Sequence, residues 1–399
     1  MKPDEITLIL TGLSLVAHTE HLFLIAGVTL LSFFLVSYFF QRLKLPSLLA
    51  YVFLGLALSG LLTDPELEII DQIARLGILL LFFLLGLHFP LARLINISRR
   101  VWTVGVMDIG LNFGISFALA YLLGFDLLAA LIIGGVAYAT SSSITIKMLE
   151  DSKRLKTPEG EFKLALLVFE DLAAPVLVSF LAGLIILGAV TAEAVLVILV
   201  KVVLLTVVSI LFALYGFRRL DLFSGRYMSR DFMPLFAFAV GLIFAGIAEA
   251  LDLSKLLGAF LAGVMLSETG TSREFSKIIT PVKDLTLPFF FFWFGTTITL
   301  GTGAIALPAL AVLLIWALAG KLIVGFWGGR MYGLSFKGAI RAAFSLLPRG
   351  EFSVVIAAMA EPVLRAFLGI YIVVTAIAGV YLFRWAPRIA DRLARRAGR

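Results

Sequence analysis

The chain has no cysteine and only three histidines, His18, His21 and His88, among 399 residues. The first absence excludes a disulfide framework, a thiolate metal site and a cysteine nucleophile. The second, with no HExxH and no paired-ligand spacing, leaves nothing from which to build a catalytic zinc site. Charge is scarce as well: 15% of residues are Asp, Glu, Lys or Arg, against about 25% in a soluble domain. What remains is apolar. Hydrophobic residues make up 61% and mean hydropathy is +1.06. Such a chain has too little polar surface to cover its own core, so lipid is the solvent for most of it. Met1 to Ala17 lack a basic n-region and carry Asp4 and Glu5 beside a short apolar run. They read as part of an extracytoplasmic N-terminal segment, 1–21, and not as a cleaved signal peptide.

A helix needs about 20 apolar residues to cross a bilayer, because lipid offers no partner to an unpaired backbone group. About 13 stretches meet that length, near 22–41, 46–62, 70–88, 102–124, 127–149, 162–189, 191–216, 232–251, 253–268, 286–301, 304–329, 335–361 and 364–388. The ninth and tenth are short and rich in Gly or Phe, which suits a re-entrant or tilted segment. The fold class expected is an all-α polytopic membrane protein. Net charge is +7, but the basic residues are dispersed in short loops rather than gathered on a nucleic-acid-binding face. Alternate loops hold 26 of the 33, from Arg42 and Lys44 through Lys147, Lys163 and Arg341 to six arginines between Arg384 and Arg399. The intervening loops hold only Lys2, Lys255 and Arg365. By the positive-inside rule the N-terminus is outside, the C-terminus is cytoplasmic, and 389–399 is a basic cytoplasmic tail.

Subtracting the loops leaves Arg75, Lys201, Lys321 and Arg349 inside spans, with Asp108, Glu170, Asp171 and Glu351. An intramembrane charge costs about 2.5–3.5 kcal/mol on insertion scales, so each needs a partner or an aqueous cavity. Snorkelling or a local pair satisfies Arg75, Lys201 and Asp108. Glu170 and Asp171 are different. They lie side by side in the sixth span, with Pro175 one turn later. Neighbours on a helix differ by about 100° in direction, so one carboxylate can face a cavity while the other meets a basic residue. Lys321 is the candidate counter-charge. A buried pair that merely joins helices is the bland alternative.

Two spans look interrupted. The fifth contains Thr140, Ser141, Ser142 and Ser143 in a row, hydroxyls able to satisfy unwound backbone and to coordinate a cation. The twelfth contains Pro348, Arg349, Gly350 and Glu351, where proline removes a backbone donor and glycine loosens the helix. Arg349 and Glu351 suit a structural pair that steadies this break. Two broken helices in oppositely oriented halves are the sequence sign of an inverted-repeat transporter with a midplane site.

The order and spacing of these elements resemble the monovalent cation:proton antiporter superfamily, most closely its Kef-type branch. The likeness runs from about 22 to 388. It is carried by 76–87 (LGILLLFFLLGL), the Thr140–Ser143 break, 169–173 (FEDLA), 257–267 (LGAFLAGVMLS), 290–295 (FFFWFG) and 348–352 (PRGEF). The resemblance implies one transmembrane domain, 22–388, with core helices at about 102–189 and 304–388 and dimerisation helices mostly at about 22–88 and 232–301. It implies elevator-like movement of one against the other, and a homodimer in the cell membrane. Asp171 falls on the family's ion-binding aspartate and Lys321 on its core-domain basic position. Glu170 departs from the glutamine typical of Kef proteins. Kef proteins usually carry a nucleotide-binding regulatory domain after the last span, and none is expected in this chain.

Together these readings predict a secondary antiporter of K⁺ or Na⁺ against H⁺. A cation and a proton compete for Asp171; Thr140, Ser141 and Ser142 assist; Lys321 or Arg349 neutralises the emptied site. Glu170 pairs with Lys321 or carries a second proton. No catalytic residue, resident metal or cofactor is expected beyond the transported ions, and no nucleic-acid partner. A Na⁺-coupled organic-anion symporter and a gated cation channel are the competing readings. An enzyme is disfavoured because no Ser–His or His–metal constellation lies at membrane depth.

Overall fold

The computed structural model describes residues 22–89, 101–188, 190–216, 232–298 and 306–396. The N-terminal segment 1–21 and the basic residues Arg93, Arg99, Arg100, Arg218, Arg219, Arg226, Arg230 and Arg399 lie outside the described residues. All regular structure among the described residues is helical. In chain order the helices are α1 (Leu22–Arg42), α2 (Ser47–Leu58), α3 (Asp64–Leu87), α4 (Val101–Leu122), α5 (Leu127–Tyr138), α6 (Ser142–Asp151) and α7 (Pro158–Leu187). There follow α8 (Ala192–Leu211), α9 (Met233–Ala250), α10 (Lys255–Ser267), α11 (Ser272–Thr296) and α12 (Leu307–Tyr332). The chain closes with α13 (Phe336–Ala343), α14 (Glu351–Ala358) and α15 (Pro362–Arg396).

Helix starts follow local chemistry. Asp126, Thr157, Thr191, Ser254 and Ser335 each accept a backbone N–H of the first turn that follows, and Pro158 stands where no amide hydrogen is needed. Nine helical stretches among the described residues are long and apolar enough to cross a bilayer, the α5–α6 pair counting as one. The protein is a multi-pass membrane protein. Two shorter apolar helices, α2 and α10, accompany them.

The tenth expected span differs most. Instead of a short segment at 286–301, α11 begins at Ser272 and continues through Pro281 and Pro288. Its first half is one-sided: Phe275 and Ile279 are buried while Arg273, Lys277 and Asp284 are exposed, so window-averaged hydropathy hides it. The expected tail, 389–399, is likewise continuous with α15 as far as Arg396. Lys163, counted above as a loop residue, sits inside α7, fully buried, 3.7 Å from Glu159 and over the ring of Phe383.

Helices α2, α3, α9, α10 and α11 pack on one another, and α4, α5, α7 and α12 to α15 form a second set. Small residues set the spacing, as is usual in membranes. Where α3 and α10 cross, a side chain on Gly86 or Gly263 would strike the other helix's backbone.

Candidate functional site

The interruptions at 139–141 and 344–350 cross one another. α5 ends at Tyr138 and Ala139 turns to extended backbone; α6 restarts with Ser141 as its N-cap, accepting from Ile144 N–H. On the other side of the crossing Gly350, at φ −154° and ψ −139°, leads into Glu351. Breaking two helices frees backbone groups that lipid cannot satisfy. The breaks satisfy each other. Ser141 N–H donates to Pro348 O at 2.8 Å. Ser353 Oγ donates to Val136 O and Ala139 O at 2.9 and 3.1 Å, closing the end of α5. The approach needs glycine at 350, because a Cβ there would lie 2.3 Å from Ser141 Cβ and Oγ.

Beside the crossing lies a buried charge cluster. Lys321 of α12 donates to Asp108 Oδ1 and Oδ2 at 2.9 and 3.0 Å and to Glu170 Oε1 at 3.1 Å. All three side chains are buried, and Asn112 Nδ2 donates to Asp108 Oδ1 at 2.7 Å. Thr140 donates twice to Glu170, from its backbone N–H (2.7 Å) and from Oγ1 (3.1 Å). Every ammonium hydrogen of Lys321 thus has a carboxylate oxygen, and the unwound turn holds Glu170 in place.

Asp171 faces elsewhere. It is 8% exposed, no ion pair reaches it among the described residues, and Oδ1 has no hydrogen-bond partner. The Ser142 side chain lies beside it. Pro175, four residues on, has no N–H to give the Asp171 carbonyl, so this residue presents a carboxylate and a spare backbone oxygen together. Carboxylate, carbonyl and hydroxyl oxygens are the hard donors an alkali cation takes.

The structure therefore brings Glu170, Thr140 and Lys321 together and keeps Lys321 off Asp171. It corrects three expectations. Asp108 is no snorkelling residue or minor local pair but a full member of the Lys321 cluster; its signal was Asn112, a second polar residue one turn along the same apolar helix. Arg349 and Glu351 do not pair. Glu351 accepts from Ser141 Oγ at 3.2 Å, while Arg349 is fully buried beside Tyr371 with none of its three nitrogens in hydrogen-bond geometry. Ser141 consequently turns toward Glu351, leaving Ser142 to Asp171. The local pairs of Arg75 with Asp71 (2.7 Å) and Lys201 with Asp252 (3.0 Å) are present. No group of three or more metal-ligating side chains occurs among the described residues.

Residues 28–386 match the profile of the transmembrane sodium/hydrogen exchanger family. The chain belongs to that family. Within it, the chain is 44% identical over 367 residues to the ammonium/H⁺ antiporter subunit AmhT of Alkalihalophilus pseudofirmus, covering 92% of this chain and 94% of that one. It is 31% identical to the K⁺/H⁺ antiporter subunit KhtU of Bacillus subtilis, covering 81% and 80%. The exchanger fold is also that of the sodium–proton antiporter MjNhaP1 from Methanocaldococcus jannaschii. There the TM-score is 0.68 at 16% identity, over 92% of this chain and 97% of the other.

Proposed function

We propose that this chain exchanges a monovalent cation for H⁺ at Asp171. One observation carries the reading. Of the four acids buried at the crossing, Asp108 and Glu170 share Lys321 and Glu351 accepts from Ser141 Oγ, whereas Asp171 has neither an ion pair among the described residues nor a hydrogen-bond partner for Oδ1. A buried carboxylate without a cation beside it must bind one or take a proton. The two occupants exclude each other, which is the condition for exchange. Ser142 and the Asp171 carbonyl supply further oxygens, and Thr140 acts indirectly by fixing Glu170. Lys321 balances Glu170 and Asp108 through the cycle.

The relatives support the reaction class: AmhT is named for ammonium and H⁺, KhtU for K⁺ and H⁺, and NhaS3 of Synechocystis, 26% identical, for Na⁺ and H⁺. NH₄⁺ therefore joins K⁺ and Na⁺ as a candidate substrate. Alternating access proceeds by movement of the α4–α7 and α12–α15 set against the remainder, in a homodimer of the cell membrane with the α15 end cytoplasmic. No cofactor enters the scheme.

The test is proton flux in proteoliposomes under Na⁺, K⁺ and NH₄⁺ in turn, with and without a valinomycin clamp. Wild type acidifies or alkalinises in response to at least one cation, and Asp171→Asn does not. Exchange retained by Asp171→Asn would overturn the assignment.

A further inference from the structure

A cavity of about 1000 Å³ opens on the face where the α1–α2 turn, the end of α6 and the end of α15 meet. Lys44, Lys147, Arg154 and Arg384 stand on its wall, and two of its lining residues are acidic, Asp151 and Glu351. Asp151 is exposed. Glu351 is 8% exposed, at the first position of α14 and within the crossing itself. No ion pair involves Glu351 among the described residues, Arg349 included. Among the described residues its side chain has one hydrogen bond, from Ser141 Oγ, 3.2 Å away. The next residue, Ser142, lies beside Asp171. Cavity, Glu351, two consecutive hydroxyls and Asp171 thus place oxygen ligands in succession, with a carboxylate at each end.

A buried carboxylate without a basic partner is costly, so an acid that lines a cavity without one calls for a ligand. We propose that Glu351 is a second cation-binding carboxylate, which takes a monovalent cation from this cavity and passes it over Ser141 and Ser142 to Asp171. This rests on the reading of Asp171 as the exchange site. Glu351 lines this cavity and Asp171 does not. It serves the face with the cavity, so its removal weakens cation capture from that face and not from the other.

Membrane vesicles of the two orientations test this, with orientation set by protease access to a C-terminal tag. Half-saturating Na⁺, K⁺ and NH₄⁺ are measured at each face by proton flux. Glu351→Gln should raise the half-saturating concentration at the C-terminal face by about tenfold, the effect of losing one charged ligand. The opposite face should stay within about twofold. Glu351→Asp should recover most of the loss. Ser141→Ala, which keeps the carboxylate, should give a smaller shift with the same sidedness, and it decides the matter if Glu351→Gln does not fold. An unchanged value at the C-terminal face, or an equal rise at both faces, overturns the proposal. Asp171→Asn in the same vesicles separates the two readings. If it is inactive while the Glu351 and Ser141 variants show no sided shift, only the role of Glu351 falls; if it is active, the exchange site itself is wrong.

Discussion

Lys321 straddles Asp108, its ammonium 2.9 Å from one carboxylate oxygen and 3.0 Å from the other. It also holds Glu170. One positive charge therefore serves two negative ones, which sets this cluster apart from a simple buried pair and gives Lys321 a partner even when Glu170 is protonated.

Removing the shared charge should be expensive. Lys321→Met leaves Asp108 and Glu170 buried without a counter-ion, and loss of one member of a buried ionic group costs about 3–5 kcal/mol. The expected result is a marked fall in melting temperature in detergent. Adding Asp108→Asn and Glu170→Gln to Lys321→Met should restore much of it. A single variant as stable as wild type would show that the cluster is not electrostatically coupled.

Pro175 offers a test of the backbone oxygen. Pro175→Ala supplies an N–H to the Asp171 carbonyl and removes an interior proline, whose helix cost is about 3 kcal/mol relative to alanine. Thermal stability should hold or rise. The half-saturating cation concentration should rise with it, because the carbonyl is now occupied. Unchanged cation affinity in a well-folded Pro175→Ala protein means that the carbonyl is not a ligand.

The crossing should tolerate no side chain at its tightest point. Gly350→Ala places a methyl carbon 2.3 Å from Ser141, so the two breaks must part and their shared hydrogen bonds lengthen. A cost of about 1–3 kcal/mol is expected from overpacking, with transport largely lost. Gly27→Ala in α1, where a Cβ meets nothing within 4 Å, is the matched control and should leave both stability and flux near wild type.

Much of the architecture is legible in composition, because lipid imposes its demands residue by residue. A span must be apolar over its length, and a charge within it stands out against that background. Glu170, Asp171 and Lys321 were visible for this reason, as were the Thr140–Ser143 and Pro348–Gly350 interruptions. The start of α11 was not, since its charges lie on one face and cancel its apolar residues in any average.

By itself, then, the sequence determined that this is a multi-pass membrane protein, where its helices break, and which acids and bases lie at depth. Each of these is a local property, set by the cost of placing a given group in hydrocarbon. Only the tertiary structure decided who partners whom. Lys321 lies 213 positions from Asp108 and 151 from Glu170, and nothing along the chain says which carboxylate an ammonium meets. That choice follows from packing α4, α7 and α12 around the crossing. It gives the lysine to Asp108 and Glu170, turns Glu351 to Ser141 and the cavity, and leaves Asp171 without an ion-pair partner among the described residues.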